Sequence, residues 1–433
     1  MKKVLIITYY WPPSGGIGVQ RCLKFAKYLR AFGWESVIYT AKNAQYPFLD
    51  KSNLKDVPKN ITVLKHKIIE PFNLFKILSG RKKNDPISNV IHIREKKSKI
   101  IDNIAIWIRG NFFIPDARSL WIKPSIKYLT KYLKKNHIDA ILTDGPPHTN
   151  TVIACKLSKK FNIPWLADFQ DPWTQVDYYK LFKLSKWADK KHRKLEQEVF
   201  KTAKKITIAS PSWKKDIEKI GAKNADVIFW GYDEDDYKPF VNQTLDKKFT
   251  IAHTGLLGFD RNPDVLFDVL KDIKKEIPQF AEDIRINLAG MIDYSVIECI
   301  KQNGLEENTN NFGTISRNNA LGLVMKAQLL LLPINKADNA KGRIPAKLFE
   351  YLRSQRPILY LGPLNSDVAN IINYTSSGKC FEYNDYENIK SFVKYRYKRF
   401  QEFKTDNSEF DISEYSVKKQ TEKIAHYLDE ITN

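Results

Sequence analysis

"VLIITYYWPPSGGIGVQR", residues 4–21, sets a short β-branched run against a glycine-rich turn and the first residues of an amphipathic stretch. That order reads as strand, tight loop and helix start. The first N–H groups of a helix have no partner within it, and the aligned peptide dipoles leave partial positive charge there, so an anion is drawn to the spot. The stretch therefore raises a phosphate site. It fails as a dinucleotide fingerprint, because Gly16, Gly18 and Arg21 occupy a G-x-G-x-x-R spacing without the third glycine. The second strand, "ESVIYTAKN" at 35–43, also ends without an acidic residue to grip a ribose.

The same alternation continues along the chain. "DAILTD", "PWLADF", "KITIAS" and "ADVIFW" are short apolar runs separated by helix-like segments. Strands that alternate with helices imply parallel pairing through crossovers. Around "GYDEDDYKPFVNQTLDKK", 231–248, the apolar periodicity lapses, and a linker is expected over 237–248. The pattern restarts with "FTIAHTG", "RINLAG", "LLLLPI" and "PILYLG", with helix starts expected after Asn262 and at Pro345. The expected fold class is thus α/β with two doubly wound, Rossmann-like domains facing across a cleft: 1–236, then 249–410 after the linker. A chain of 433 residues is too long for one ordinary core, which agrees with two domains. The last segment, 411–433, reads as an amphipathic helix that packs back on the first domain.

Charge narrows the partners. The chain carries 71 Lys or Arg against 49 Asp or Glu, a net +22, and over half of that excess falls between Lys65 and Lys135. There 17 basic residues face five acidic ones, in a helix-rich insertion of about 65–135. Its "KSKIIDNIAIWIRGNFFI", 97–114, places Ile100, Ile101, Ile104, Ala105 and Ile108 on one helical side with Trp107, Phe112 and Phe113 near the end. Such a helix suits either an anionic lipid surface or an ordinary core. No recognition helix, zinc finger or RNA-binding signature accompanies the charge, so nucleic acid is not an expected partner. Cys22, Cys155, Cys299 and Cys380 are scattered and the seven histidines dispersed, which argues against a metal centre and a disulfide framework. The apolar start ends at Thr8 with no small-residue cleavage site, so a cytoplasmic protein is expected, peripheral on the membrane through its basic insertion.

Four stretches in order, "YYWPPSGGIGVQR", "TDGPPHTNT" at 143–151, "LADFQDPW" at 166–173 and "GRIPAKLFEYLRSQRPIL" at 342–359, resemble glycosyltransferase family 4. The resemblance runs from Met1 to about Ile372. It implies the GT-B fold, a nucleotide-sugar donor and transfer with retention of configuration, with no cofactor beyond the donor and no metal.

The resemblance also implies site residues. Glu350 corresponds to a glutamate that accepts hydrogen bonds from the donor ribose, a task that suits an acceptor-only carboxylate. The family's fuller pattern has a second glutamate eight positions earlier, where this chain has Gly342. Lys341, Arg343 and Lys347 surround the helix start and could neutralise the diphosphate, Arg343 first and Lys347 second. Arg261 follows "HTGLLGFD", where the family places basic residues over the phosphates, although the family's earlier arginine position is Leu256 here. Gly255 serves either a close approach to the ligand or a structural turn. Gly16 and Gly18, with Gly15, form the loop that approaches the donor diphosphate from the other domain, with Arg21 facing the same region in that reading.

In the first domain, His148 is expected to touch the transferred sugar, as a neutral imidazole that donates to or accepts from a hydroxyl and that can titrate near neutrality. Asp168 is expected near the acceptor and Asp171 as a turn-former before Pro172. Gln170 replaces the arginine of a D-F-R-D-P-W pattern. The expected function is a retaining glycosyltransferase acting on a lipid-linked saccharide or surface polysaccharide of the cell envelope. Its rival is a non-catalytic binding protein that keeps the fold and the membrane contact; a nicotinamide oxidoreductase ranks third.

Overall fold

The computed structural model describes residues 1–70, 100–337, 340–402 and 411–433, with side chains of the helix beginning at Ile100 described from 106 onward. The centre of the expected basic insertion, 71–99, lies outside the described residues, as do the side chains of Ile100, Ile101, Ile104 and Ala105.

Two compact units emerge. The first holds seven strands: β1 (Lys2–Ile7), β2 (Trp34–Ala41), β3 (Thr62–His66), β4 (Ala140–Gly145), β5 (Trp165–Phe169), β6 (Lys205–Ile208) and β7 (Ala225–Val227). They pair in the order β3-β2-β1-β4-β5-β6-β7, every pair parallel. Helices cover both faces, so the central strands read as unbroken apolar runs. Val4 and Ile6 enter one core and Leu5 and Ile7 the other, which is the strand period of two at work. The terminal helix Val417–Thr432 belongs to this unit, where Ile424, Ala425 and Leu428 join Leu23, Phe25 and Leu29.

The second unit holds β8 (Phe249–Thr254), β9 (Ile284–Ala289), β10 (Thr309–Asn311), β11 (Leu329–Pro333), β12 (Ile358–Leu361) and β13 (Gly378–Phe381). Their order is β10-β9-β8-β11-β12-β13, again all parallel. The core gathers Phe249, Ile251, Phe267, Leu270, Leu329 and Leu359. The stretch expected as a linker, 237–248, lies inside this unit, which begins at Gly231. Tyr237 anchors the start of the stretch, 2% exposed and donating its hydroxyl to the Glu350 carbonyl at 3.2 Å, while the residues after it are largely open to solvent, Val241 at 79%.

Three strands, β3, β10 and β13, have no counterpart among the expected ones. All three are sheet edges. An edge strand is covered less and needs no continuous apolar run, and "TNN" of β10 contains no apolar residue at all. The helices after Asn262 and Pro345 start slightly later than expected, at Asp264 and Lys347.

Candidate functional site

In a doubly wound sheet, ligands bind beyond the carboxyl ends of the strands where the strand order reverses. The second unit reverses between β8 and β11. The chain leaves β8 through Gly255, whose φ of +105° is a conformation L side chains rarely adopt. A Cβ there would lie 2.9 Å from Lys347 Nζ, so the missing side chain is what admits the lysine. Lys347 opens the helix Lys347–Ser354.

Its ammonium rests 3.1 Å from His253 Nε2 on β8. His253 Nδ1 is 2.9 Å from the Leu331 carbonyl. A carbonyl only accepts, and the Leu331 carbonyl is much nearer than the Leu256 carbonyl, 3.4 Å from Nε2, so Nδ1 carries the proton and Nε2 offers its lone pair to Lys347. Burial, with Lys347 beside it, holds the His253 pKa well below the usual range. Burial also pulls Lys347 down to about 7, with Arg261 pushing the same way and Glu350 opposing. Arg261 itself is folded onto its neighbour Asp260, Nε to Oδ1 at 3.1 Å and Nη2 to Oδ2 at 3.0 Å.

Glu350 stands one turn along from Lys347. Its Oε1 accepts from Arg317 Nε at 3.2 Å and Nη2 at 2.9 Å, which leaves Oε2 without a protein donor among the described residues. Arg317 is the first residue of a helix capped by Ser316, whose hydroxyl accepts from the Asn319 N–H. Its Nη1 pairs with Asp236. Burial works against the Arg317 charge, but Glu350 and Asp236 outweigh it and hold the pKa above the ordinary value. Arg343 lies half-buried in the turn ahead of Lys347, and Lys341 is exposed. Alongside, at the carboxyl ends of β11, β12 and β13, a cavity of about 510 Å³ is lined by Asp264, Asn335, Lys336, Gly362, Glu382 and Tyr383 among others. The Lys336 N–H donates to the Asp260 carbonyl at 2.7 Å, which ties the cavity wall to the loop of Arg261.

The first unit reverses between β1 and β4. Gly16, at φ +78°, starts the short 3-10 turn Ile17–Val19, and a Cβ there would meet nothing, so the glycine supplies conformation alone. A Cβ on Gly18 would come within 3.1 Å of the Tyr10 ring and one on Gly15 would overlap the Phe48 ring, so these two serve packing. Arg21 does not face the loop. It is 3% exposed, holds Asp168 through Nε and Nη2, and donates to the carbonyls of Ile228 at 2.9 Å and Phe229 at 3.2 Å.

Asp168 was expected near an acceptor; instead its side chain is fully buried, saturated by Arg21 and by Thr207 Oγ1 at 2.6 Å. A carboxylate at a strand end can point into the interior as readily as out of it, and a buried guanidinium demands a counter-ion. His148 also departs from expectation in its titration. Its ring is stacked on Trp173 at 4.4 Å and 3°. Burial, with His192 adding to it, lowers its pKa to about 3, so it is a neutral imidazole at physiological pH and its Nδ1 takes no partner among the described residues. Asp171 is half-buried in the turn after β5.

Several residues went unnoticed in the sequence. Asp144, directly across from Asp168 in the sheet, is fully buried and accepts from Thr8 at 3.2 Å, Gln170 at 3.2 Å and Asn150 at 3.0 Å. Burial, reinforced by Asp168, raises its pKa to about 7. Gln170 thus supplies an amide where the resemblance expects a cation. His253, Arg317 and Trp173 were missed too; "IAHTG" placed His253 at a strand end, but nothing in the sequence linked Arg317 to Glu350 across 33 residues.

No protein-family model matches the chain, and no curated protein matches it in sequence. Solved structures do match in fold. Anabaena HepE in complex with UDP aligns at a TM-score of 0.58 and 11% identity, covering 100% of this chain and 97% of that one. Staphylococcus aureus TarM, as a mutant form in complex with fondaparinux, α-GlcNAc-glycerol and UDP, aligns at 0.60 and 12%, covering 99% and 100%. An Escherichia coli trehalose-6-phosphate protein bound to UDP-2-fluoroglucose aligns at 0.60 and 11%, covering 99% of each. Two parallel-sheet α/β units and these full-length matches define the fold as GT-B, built from two Rossmann-like units.

Proposed function

We propose that this chain is a retaining glycosyltransferase that moves a sugar from a UDP-sugar to a lipid-linked saccharide or surface polysaccharide of the cell envelope. The observation that carries this reading is Lys347, held by His253 against Gly255 at the switch point of the second unit. A half-buried cation with a depressed pKa is under-compensated, and an incoming diphosphate is the compensation it lacks. In this reading Lys347, Arg261 and Arg343 neutralise the diphosphate without a metal, and Glu350 Oε2 accepts the ribose hydroxyls. The UDP and UDP-sugar held by the similar structures suit the same chemistry.

Transfer then needs no protein nucleophile. The acceptor oxygen bonds to the anomeric carbon on the face from which the diphosphate leaves, the bond from carbon to phosphate oxygen breaks, and that oxygen takes the acceptor's proton. Asp168, sealed by Arg21, plays no part in this step, and His148 acts as a neutral hydrogen-bonding group for the sugar. Calorimetric titration of UDP-, GDP-, ADP- and CMP-sugars, with NAD, tests the reading against wild type and Glu350→Gln. One sugar nucleotide should bind, about tenfold more weakly in the variant for a lost charged hydrogen bond. Absence of binding, or equal affinity in Glu350→Gln, would refute it. Gly342, in the place of a second glutamate, favours a binding protein without turnover as the other reading; release of free sugar-acceptor product separates the two.

A further inference from the structure

We infer that the first unit carries a docking surface for an anionic lipid bilayer, built where the helix Ile100–Phe112 meets the segment 177–194. The two segments abut closely. A Cβ on Gly110 would lie 2.8 Å from Leu184 Cδ2 and 2.9 Å from Phe182 Cβ, and the Ser185 N–H donates to Asn111 Oδ1 at 2.7 Å. Large apolar side chains flank this seam in the open. Trp107 is 41% exposed, Phe112 68%, Leu181 48% and Trp187 61%. Trp107 and Phe112 touch edge to face at 5.8 Å.

The 177–194 side of the seam is strongly basic. Between 180 and 194 the chain has seven Lys or Arg and a single acid, Asp189. That acid is already engaged by Arg193 at 2.9 Å and Tyr179 at 3.0 Å. Lys183, Lys186, Lys190, Lys191 and Lys194 are exposed, and none has an acidic partner among the described residues. Lys191 Nζ lies 4.7 Å over the Trp187 ring, so basic and aromatic groups meet in this segment.

Tryptophan beside lysine is the pairing that suits a headgroup boundary, with the rings at the acyl edge and the ammonium groups on lipid phosphates. A second copy of the chain fits poorly, because it would set this lysine cluster against itself. The segment 177–194 lies outside the 65–135 stretch in which the sequence concentrates its basic excess. The surface gives a purpose to the membrane-borne acceptor proposed above and rests on that reading for its role, but its test is independent of donor chemistry.

Flotation of the full chain with phosphatidylcholine vesicles, with and without phosphatidylglycerol, decides it. Wild type should float with the anionic vesicles only. Each lysine near such a surface contributes about fivefold, so Lys183→Glu/Lys186→Glu/Lys190→Glu should lower partitioning by about a hundredfold or more. Trp107→Ser/Trp187→Ser should lower it by about tenfold even at low salt. Sugar-nucleotide binding should be unchanged in both, which shows that they fold. If wild type floats and the variants float equally, this surface is overturned while a membrane role elsewhere survives. Failure of wild type to bind either vesicle overturns the inference without touching the donor site. Self-association of wild type that both variants abolish would make the face an interface between copies and likewise overturn it.

Discussion

A sugar nucleotide should bring a proton with it when it binds. Lys347 sits at about 7 in the free protein, pulled down first by burial. At pH 8 only about a tenth of it is then charged. A diphosphate beside the amine restores the ordinary lysine value, near ~10.4. Uptake at pH 8 is therefore about 0.9 proton per ligand. The affinity should fall about 50-fold between about pH 7 and 9, or ~2.3 kcal/mol, because an ever larger share of the protein must first be protonated. His253, the imidazole facing Lys347, is held well below its usual range and stays neutral throughout. Asp144 is also raised to about 7, but it is buried in the first unit on Thr8, Asn150 and Gln170. A site using permanently charged cations would instead bind with level affinity over this range. Calorimetry with UDP-glucose in two buffers of different ionisation enthalpy reads the protons directly, since the diphosphate of a sugar nucleotide has no group titrating near neutrality. Lys347→Met should bind weakly, with no proton exchange and no slope. A level affinity in wild type from pH 7 to 9, or the same slope in Lys347→Met, would refute the assignment of Lys347 to the diphosphate.

Gly255→Ala places a side chain at φ +105° and 2.9 Å from Lys347 Nζ. It should cost about 1–2 kcal/mol of stability and weaken sugar-nucleotide binding while the fold persists, seen by urea unfolding beside titration. Asp168→Ala leaves the buried Arg21 without its carboxylate. A loss of about 3–5 kcal/mol follows; an unchanged urea midpoint with lost activity would instead return Asp168 to the chemistry. Asp144 has a folded pKa near 7, above its ordinary value, so the folded state holds a proton that the unfolded chain has released between about pH 4 and 7. Its contribution is fully present below about pH 4 and is lost as pH rises through 7, with a slope of at most ~1.4 kcal/mol per unit. Asp144→Asn should remove that slope and gain on wild type between pH 5 and 8; parallel stability profiles would contradict it.

The buried strands were legible because burial on both faces demands unbroken apolar runs. β1, β2, β4, β5, β6, β8, β9, β11 and β12 all announce themselves this way, and their alternation with helices implied parallel sheets before any coordinate. Three of the four described edge strands, β3, β10 and β13, were not, since one side of each lies outside the ladder; only β7 among these edges carried a readable apolar run. Glycines and charged residues at strand ends could be named as a pool of candidates. Their directions could not, because adjacent side chains on a strand point to opposite faces and a helix start can turn a residue either way.

Sequence by itself thus determined the class of the fold, two doubly wound halves, because periodicity is a local property of neighbouring residues. Tertiary structure alone decided which charges are available. It paired Arg21 with Asp168 across 147 residues and Arg317 with Glu350 across 33, and it set Lys347 against His253 across 94. Those pairings depend on which strand lies beside which and on how far each group is from water. Desolvation and proximity are properties of three-dimensional neighbourhood, and they set whether an aspartate is a sealed counter-ion and how readily a lysine holds its proton.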